Sequence, residues 1–208
     1  MLHSKFLNLS ELIQQTELGG IDDQKKMVPP ERKIEVNTPF KSKPPKKAAV
    51  LALFYPNKYG KTCLALTLRP SYKGTHSAQV SFPGGKQEET DLNLSETALR
   101  ETYEEVGVDK KNIKILREIT NVYIPPSNFL VTPFIAVTKE TPIFKSNHEV
   151  EELIEVTLTD LLSDQSINSK HKKTFYAENV KVPYFLFNNH VVWGATAMII
   201  SEIKELIK

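Results

Sequence analysis

Three glutamates crowd two helical turns of this chain, in the run Arg100-Glu101-Thr102-Tyr103-Glu104-Glu105-Val106-Gly107. On a helix advancing about 100° per residue, Glu101, Glu104 and Glu105 fall within an arc of roughly 100°. Ala98, Leu99, Thr102 and Val106 take the opposite side, where a helix packs on a sheet. Like charges three and four residues apart repel by a few tenths of a kcal/mol per pair. That placement is tolerable on a solvated face and becomes favourable around a hard divalent cation. The bare Glu-x-x-Glu-Glu pattern does not separate these two readings; its surroundings do. Arg100 stands beside Glu101, suited to hold its carboxylate bidentately. Upstream, Gly84-Gly85 permit a close approach of backbone to a ligand, and Gly107 closes the helix. The pattern predicts a helix over 95–106 with a metal-ready edge and an apolar back, which requires a sheet beneath it.

The rest of the chain supplies that sheet. Short apolar runs predict strands at 48–55 and 62–69, joined by a Pro- and Gly-containing loop, and at 79–82, closed by Pro83-Gly84-Gly85. Further strands are expected near 113–122, 131–138, 153–158, 172–176 and 181–187. A last helix over 194–207 places Ala197, Ile200, Ile203 and Ile207 on one face. Before the sheet, residues 4–18 carry Phe6, Leu7, Leu9, Leu12 and Ile13 at roughly helical spacing, and Gly19-Gly20 end that helix. Residues 21–47, rich in proline and lysine, read as an extended arm, either a solvated linker or a basic strap over an anionic ligand. The expected division is an N-terminal helix and arm, 1–47, and one α/β domain, 48–208, with a mixed sheet between helices.

Composition narrows the function classes. Lys+Arg 27 against Asp+Glu 25 leaves +2, a balance that does not point to nucleic acid or a membrane surface. The single cysteine, Cys63, lies in an apolar run, which excludes an internal disulfide or a cysteine metal site and suggests a buried small residue. No stretch approaches the roughly 20 apolar residues of a membrane span, and no secretory signal is visible, so the cytoplasm is the expected location.

The segment from Gly85 to Val108 resembles the Nudix box, Gly-x5-Glu-x7-Arg-Glu-U-x-Glu-Glu-x-Gly-U with U apolar. Arg100, Glu101, Glu104, Glu105, Gly107 and Val108 coincide with it, and Thr102 stands at an apolar position. The first half departs: Asp91 replaces the glutamate, and eight residues rather than seven separate it from Arg100. Loop-turn or helix-cap duty is the expected part for Asp91. The coenzyme A pyrophosphatases of the superfamily often share this longer loop, with an upstream motif similar to Arg69, His76, Gln79, Phe82, Pro83, Gly84 and Gly85. Ala78 replaces that motif's usual glycine. Residues 26–32, 127–133 and 192–197 resemble further segments of those enzymes, so the likeness runs from about residue 26 to the C-terminus.

The resemblance implies a Nudix α/β/α sandwich that hydrolyses a pyrophosphate bond with Mg²⁺ or Mn²⁺. It implies Glu101, Glu105 and then Glu104 as metal ligands, with Arg100 orienting Glu101. Glu149 sits where related enzymes often place a further catalytic carboxylate. Arg69, Gln79, Phe82, Gly84, Gly85 and Lys86 are the expected substrate contacts. Coenzyme A, a small-molecule nucleotide, is the expected substrate, and its 3′-phosphate asks for cations that the arm and the 69–73 loop can offer. The alternatives are hydrolysis of ADP-ribose, dinucleotides or nucleoside triphosphates, and a non-catalytic nucleotide-sensing module. A sensing module is expected to lose box glutamates that this chain keeps. Taken alone, Arg69, Lys73 and Lys86 also suit surface charges, Trp193 suits core packing as well as base stacking, and His76 stays unassigned. The oligomeric state is open, a homodimer among the options.

Overall fold

A strand buried on both faces carries no polar alternation, and the run Ala48-Ala49-Val50-Leu51-Ala52-Leu53-Phe54-Tyr55 has none. In the computed structural model, which describes residues 1–30, 43–71, 78–174 and 178–208, this run is the spine of the sheet. Three short helices open the chain: α1 (His3–Leu7), α2 (Ser10–Gln15) and α3 (Ile21–Lys25). The spine strand β1 (Lys46–Pro56) follows, with β2 (Thr62–Leu68), β3 (Val80–Ser81) and β4 (Gly84–Lys86) before the acidic helix α4 (Leu94–Val106). Next come β5 (Ile113–Glu118), β6 (Val122–Ile124), β7 (Phe129–Thr138) and β8 (Glu152–Thr157), then α5 (Leu158–Leu162). The chain closes with β9 (Ile167–Lys172), β10 (Val180–Phe187), β11 (His190–Val192) and α6 (Gly194–Ile207).

Strands β1 to β8 form one mixed sheet in which β1 and β7 run parallel and the other pairs antiparallel. Strands β9, β10 and β11 form a separate antiparallel sheet. On one face of the large sheet, Leu51, Leu53, Cys63 and Ala65 pack with Ala98, Leu99 and Val106 of α4. On the other, Phe54, Leu64 and Leu66 pack with Ile199, Ile200 and Ile203 of α6. Phe6, Ile13 and Met27 of the N-terminal segment enter this second cluster. The layers are helix, mixed sheet, helix, the α/β sandwich that the sequence predicts. No helix among the described residues is long and apolar enough to cross a membrane.

Several expected boundaries shift for physical reasons. The helix expected over 4–18 is two helices, broken at Asn8 and Leu9. Arg117 on β5 holds the end of α2, donating 2.7 Å hydrogen bonds to the carbonyls of Ile13 and Thr16, which have no helical donor. The arm begins with α3 rather than extended chain; residues 31–42, with Arg32 and Ile34, lie outside the described residues. The strand expected over 113–122 is interrupted after a bulge between Ile115 and Arg117. The strand expected at 172–176 lies earlier, as β9, because its exposed Asn168, Ser169, Lys170 and His171 give no apolar alternation.

Candidate active site

Asn93 starts α4, its side chain accepting from the Glu96 amide, and Gly107 ends it at φ 76°, where a side chain would be strained. Thr102 is fully buried at an otherwise apolar position and satisfies its hydroxyl on the Ala98 carbonyl at 2.6 Å. The helix is thereby fixed across β1 and β4, and it delivers its glutamates unequally. Glu105 is 4% exposed, Glu101 half-buried and Glu104 exposed.

The two glycines of β4 set the distance between sheet and helix. Gly84 pairs with Val50 and Gly85 with Ala49 on β1. The Gly84 amide donates to Glu105 Oε2 at 3.1 Å. A Cβ at Gly85 would lie 2.4 Å from the Glu101 carboxylate, so only glycine lets the two meet without a shift. Burial raises the pKa of Glu101 against the opposing charge of Arg100, and the nearby Glu104 and Glu149 raise it further. Burial pushes Glu105 up to about 7; the Gly84 amide and Arg69 oppose the rise, and Glu101 and Glu149 add to it. Carboxylates are concentrated here faster than the protein's own cations neutralise them.

Arg100 is the hub. Its Nη1 donates to Glu101 Oε1 at 3.1 Å and to Glu104 Oε2 at 3.0 Å, and its Nη2 donates to the Lys86 carbonyl at 3.1 Å. Its strongest hold is a bidentate pair with Asp91, 2.9 Å from Nε and 3.0 Å from Nη2. All the guanidinium donors are thus engaged. Asp91 also accepts from the Glu88 amide and the Thr97 hydroxyl, each at 2.9 Å. The Arg100 guanidinium holds the Asp91 carboxyl well below the usual carboxylate range. The expected cap or turn duty is therefore only part of its work: Asn93 is the cap, and Asp91 anchors Arg100. Its bonds to Glu88 and Thr97, from either side of the loop, show how the extra residue is absorbed.

The remaining expected contacts are distributed around these groups. Glu149 lies in an exposed loop tied to the end of α4, where the Asn147 amide donates to the Glu105 carbonyl and the Lys145 amide to that of Val106. Arg69, Gln79, Phe82, Gly84, Gly85 and Lys86 all line one cavity of about 680 Å³, although Phe82 is itself buried. Among the described residues, the buried Arg69 Nε meets no acceptor. Val50, Ile124, Phe129, Val131 and Trp193 give the cavity an apolar wall. Among the described residues, the charged ones lining it, Arg69, Lys86 and Lys173, are all cations. Lys26, in the arm read as either a linker or a basic strap over an anionic ligand, pairs with Asp23 at 2.9 Å and with Glu205 of α6 at 3.2 Å. Lys73 and His76 lie outside the described residues. Sequence reasoning missed the anchoring part of Asp91 and the cavity lysine just after β9, Lys173; the Asp91–Arg100 spacing alone could have flagged the former.

Among the described residues no three His, Cys, Asp or Glu side chains converge closely enough to enclose a cation unaided. The donor set fits a hard ion that takes one or two carboxylates and completes its shell with water and phosphate oxygens, the habit of Mg²⁺.

Comparison with known proteins agrees with this geometry. The NUDIX domain family model matches residues 45–177. A Yersinia pestis (strain Pestoides F) protein described as uncharacterized Nudix hydrolase NudL is 31% identical over 147 residues, covering 69% of this chain and 72% of that protein. Among solved structures, a MutT/nudix family protein from Enterococcus faecalis superposes with a TM-score of 0.52 at 16% identity, covering 93% of this chain and 76% of that one. The MutT protein from Methanosarcina mazei Go1 gives 0.50 at 18% identity, covering 78% and 94%. The structures speak for the fold alone, while the family model and the NudL relative speak for descent. The chain belongs to the NUDIX domain family and is a hydrolase of phosphorus-containing acid anhydrides.

Proposed function

We propose that this hydrolase uses Mg²⁺, or Mn²⁺ in its place, to cleave the pyrophosphate of coenzyme A or its derivatives, releasing adenosine 3′,5′-bisphosphate and phosphopantetheine. The observation that carries the reading is the partition made by Gly84 and Gly85. The same two residues meet Glu101 and Glu105 of α4 and line a cavity whose charged residues, among those described, are all cations. Such a cavity accepts a large organic body with anionic groups, and the partition brings one of those groups to the carboxylates.

Nudix hydrolases generally use divalent metal ions, and Glu101 and Glu105 would hold one here, with Glu104 behind them. When bound, the ion neutralises pyrophosphate oxygens and acidifies water. The chain's own residues do the positioning. Arg100, locked by Asp91, fixes one oxygen of Glu101. Gly84 fixes one oxygen of Glu105. Glu149, whose charge reaches both of them, makes no side-chain hydrogen bond or salt bridge among the described residues, and it is our candidate to take the proton of the attacking water. Arg69, with its unpaired buried Nε, stands on the cavity side to receive a phosphate oxygen.

The test is a turnover panel in Mg²⁺ with coenzyme A, NADH, ADP-ribose and nucleoside triphosphates. Highest kcat/KM on coenzyme A, with both products identified, is the expected result. Faster hydrolysis of ADP-ribose or a dinucleotide would leave the family chemistry in place and overturn the substrate.

A further inference from the structure

The C-terminal sheet brings a second basic surface to the cavity. Lys170 and Lys172 alternate on β9 and so share one face of the strand. Each is laid over an aromatic ring: Lys170 Nζ 5.4 Å from the centroid of Tyr184 on β10, and Lys172 Nζ 3.5 Å from that of Trp193. Trp193 itself lines the cavity, as do the next residue on β9's path, Lys173, and Val182, two residues before Tyr184. Lys172 is half-buried, and among the described residues no carboxylate pairs with it. Among the described residues Lys173 forms a salt bridge only with Glu178, both side chains largely exposed, a contact that a phosphate can displace. Burial and the charge of Lys170 both lower the pKa of Lys172. Lys172 therefore lies beside the cavity, on the Trp193 ring that lines it, and like charges set close together without an anion are unfavourable until one arrives.

These cations are distinct in position from Arg69, which acts on Glu105 and so belongs to the pyrophosphate end. We propose that Lys172, with Lys173 beside it, binds a phosphomonoester that the substrate carries outside its pyrophosphate, and that the Trp193 ring backs the organic group between the two. The inference rests on the coenzyme A reading, in which this group is the 3′-phosphate. It moves recognition of that phosphate from the Arg69 loop to the C-terminal sheet.

A binding experiment separates this inference from the substrate reading. Calorimetry with adenosine 3′,5′-bisphosphate and with AMP gives the ratio of affinities without any turnover. Lys172→Met keeps the aliphatic stem on Trp193 and removes the charge; Lys172→Arg keeps the charge. The wild-type protein is expected to prefer the bisphosphate by roughly tenfold or more. Lys172→Met should lose most of that preference and Lys172→Arg retain it, while Arg69→Ala weakens both ligands alike. An equal preference in wild type and Lys172→Met, or no preference in wild type, overturns the proposal. Failure of coenzyme A turnover alone would overturn the substrate reading, and the affinity ratio would still decide whether Lys172 reads a second phosphate.

Discussion

Gly84 and Gly85 differ in what a methyl group would meet. At Gly84, with φ 151°, a Cβ would lie 2.3 Å from the Ala49 carbonyl oxygen and 2.6 Å from the Val50 Cα, and neither is free to move. At Gly85 it would meet only the end of the flexible Glu101 side chain. Gly84→Ala is therefore expected to lower the unfolding midpoint, whereas Gly85→Ala keeps the fold, displaces Glu101 and lowers kcat by about tenfold or more. Thermal melts beside kcat measurements separate the two, and a Gly85→Ala enzyme of normal activity would show that Glu101 need not stay where it is. Asp91 supports the same carboxylate from behind. Asp91→Ala leaves the Arg100 guanidinium without its bidentate partner, and urea denaturation should show a loss of about 1–3 kcal/mol. A reduced kcat/KM should accompany it, since Arg100 then holds Glu101 less firmly. Unchanged stability would mean that Glu101, Glu104 and the Lys86 carbonyl hold Arg100 by themselves.

The N-terminal helices are too short to persist alone and owe their existence to packing, with Phe6 fully buried and Ile13 nearly so. His3 opens α1 and is buried, its Nε2–H donating to the Thr138 carbonyl at 2.7 Å, while Nδ1 has no partner among the described residues. Burial lowers its pKa below the ordinary 6.5, against the raising effect of the Thr138 hydrogen bond. The unfolded chain therefore takes the proton first, so the stability tied to neutral His3 is present above 6.5 and is lost as pH falls towards the lowered value. Between about pH 8 and about pH 5.5, wild type should lose more in melting temperature than His3→Gln, which keeps a donor but does not titrate. Equal losses would show that His3 is not a source of acid sensitivity. Elements were legible where a face was apolar: α4 and α6 follow their helical stripes, and α6 spans the predicted residues 194–207. They were illegible where packing or pairing replaced pattern. Polar β9 is held by β10, the five-residue α5 is too short for a stripe, and the three-residue β11 shows no alternation.

Across the whole molecule, the site divides into a part written locally and a part assembled at a distance. Arg100, Glu101, Glu104 and Glu105 share one helix, so spacing alone places them together. Gly84 and Gly85 reach them because β4 pairs with β1 beneath that helix, a relation only the sheet supplies. Lys173 and Trp193 reach the cavity from more than eighty positions downstream of Gly85, with Lys172 laid over the Trp193 ring, and no motif in the chain announces the two lysines. In the function proposed above, an anionic substrate joins these parts: carboxylates would hold the cation on one side of two glycines, and protein cations face the substrate on the other. The most direct test is coenzyme A hydrolysis followed as Mg²⁺ is titrated, in wild type and in Glu105→Gln, with folding checked by circular dichroism. Wild type should be inactive without a divalent cation and reach a plateau as it is added. Glu105→Gln, folded, should stay at least about 100-fold lower at saturating Mg²⁺, a loss of about 2.7 kcal/mol or more in transition-state stabilisation. Near-normal turnover of that variant would contradict the assignment of the α4 carboxylates to the metal.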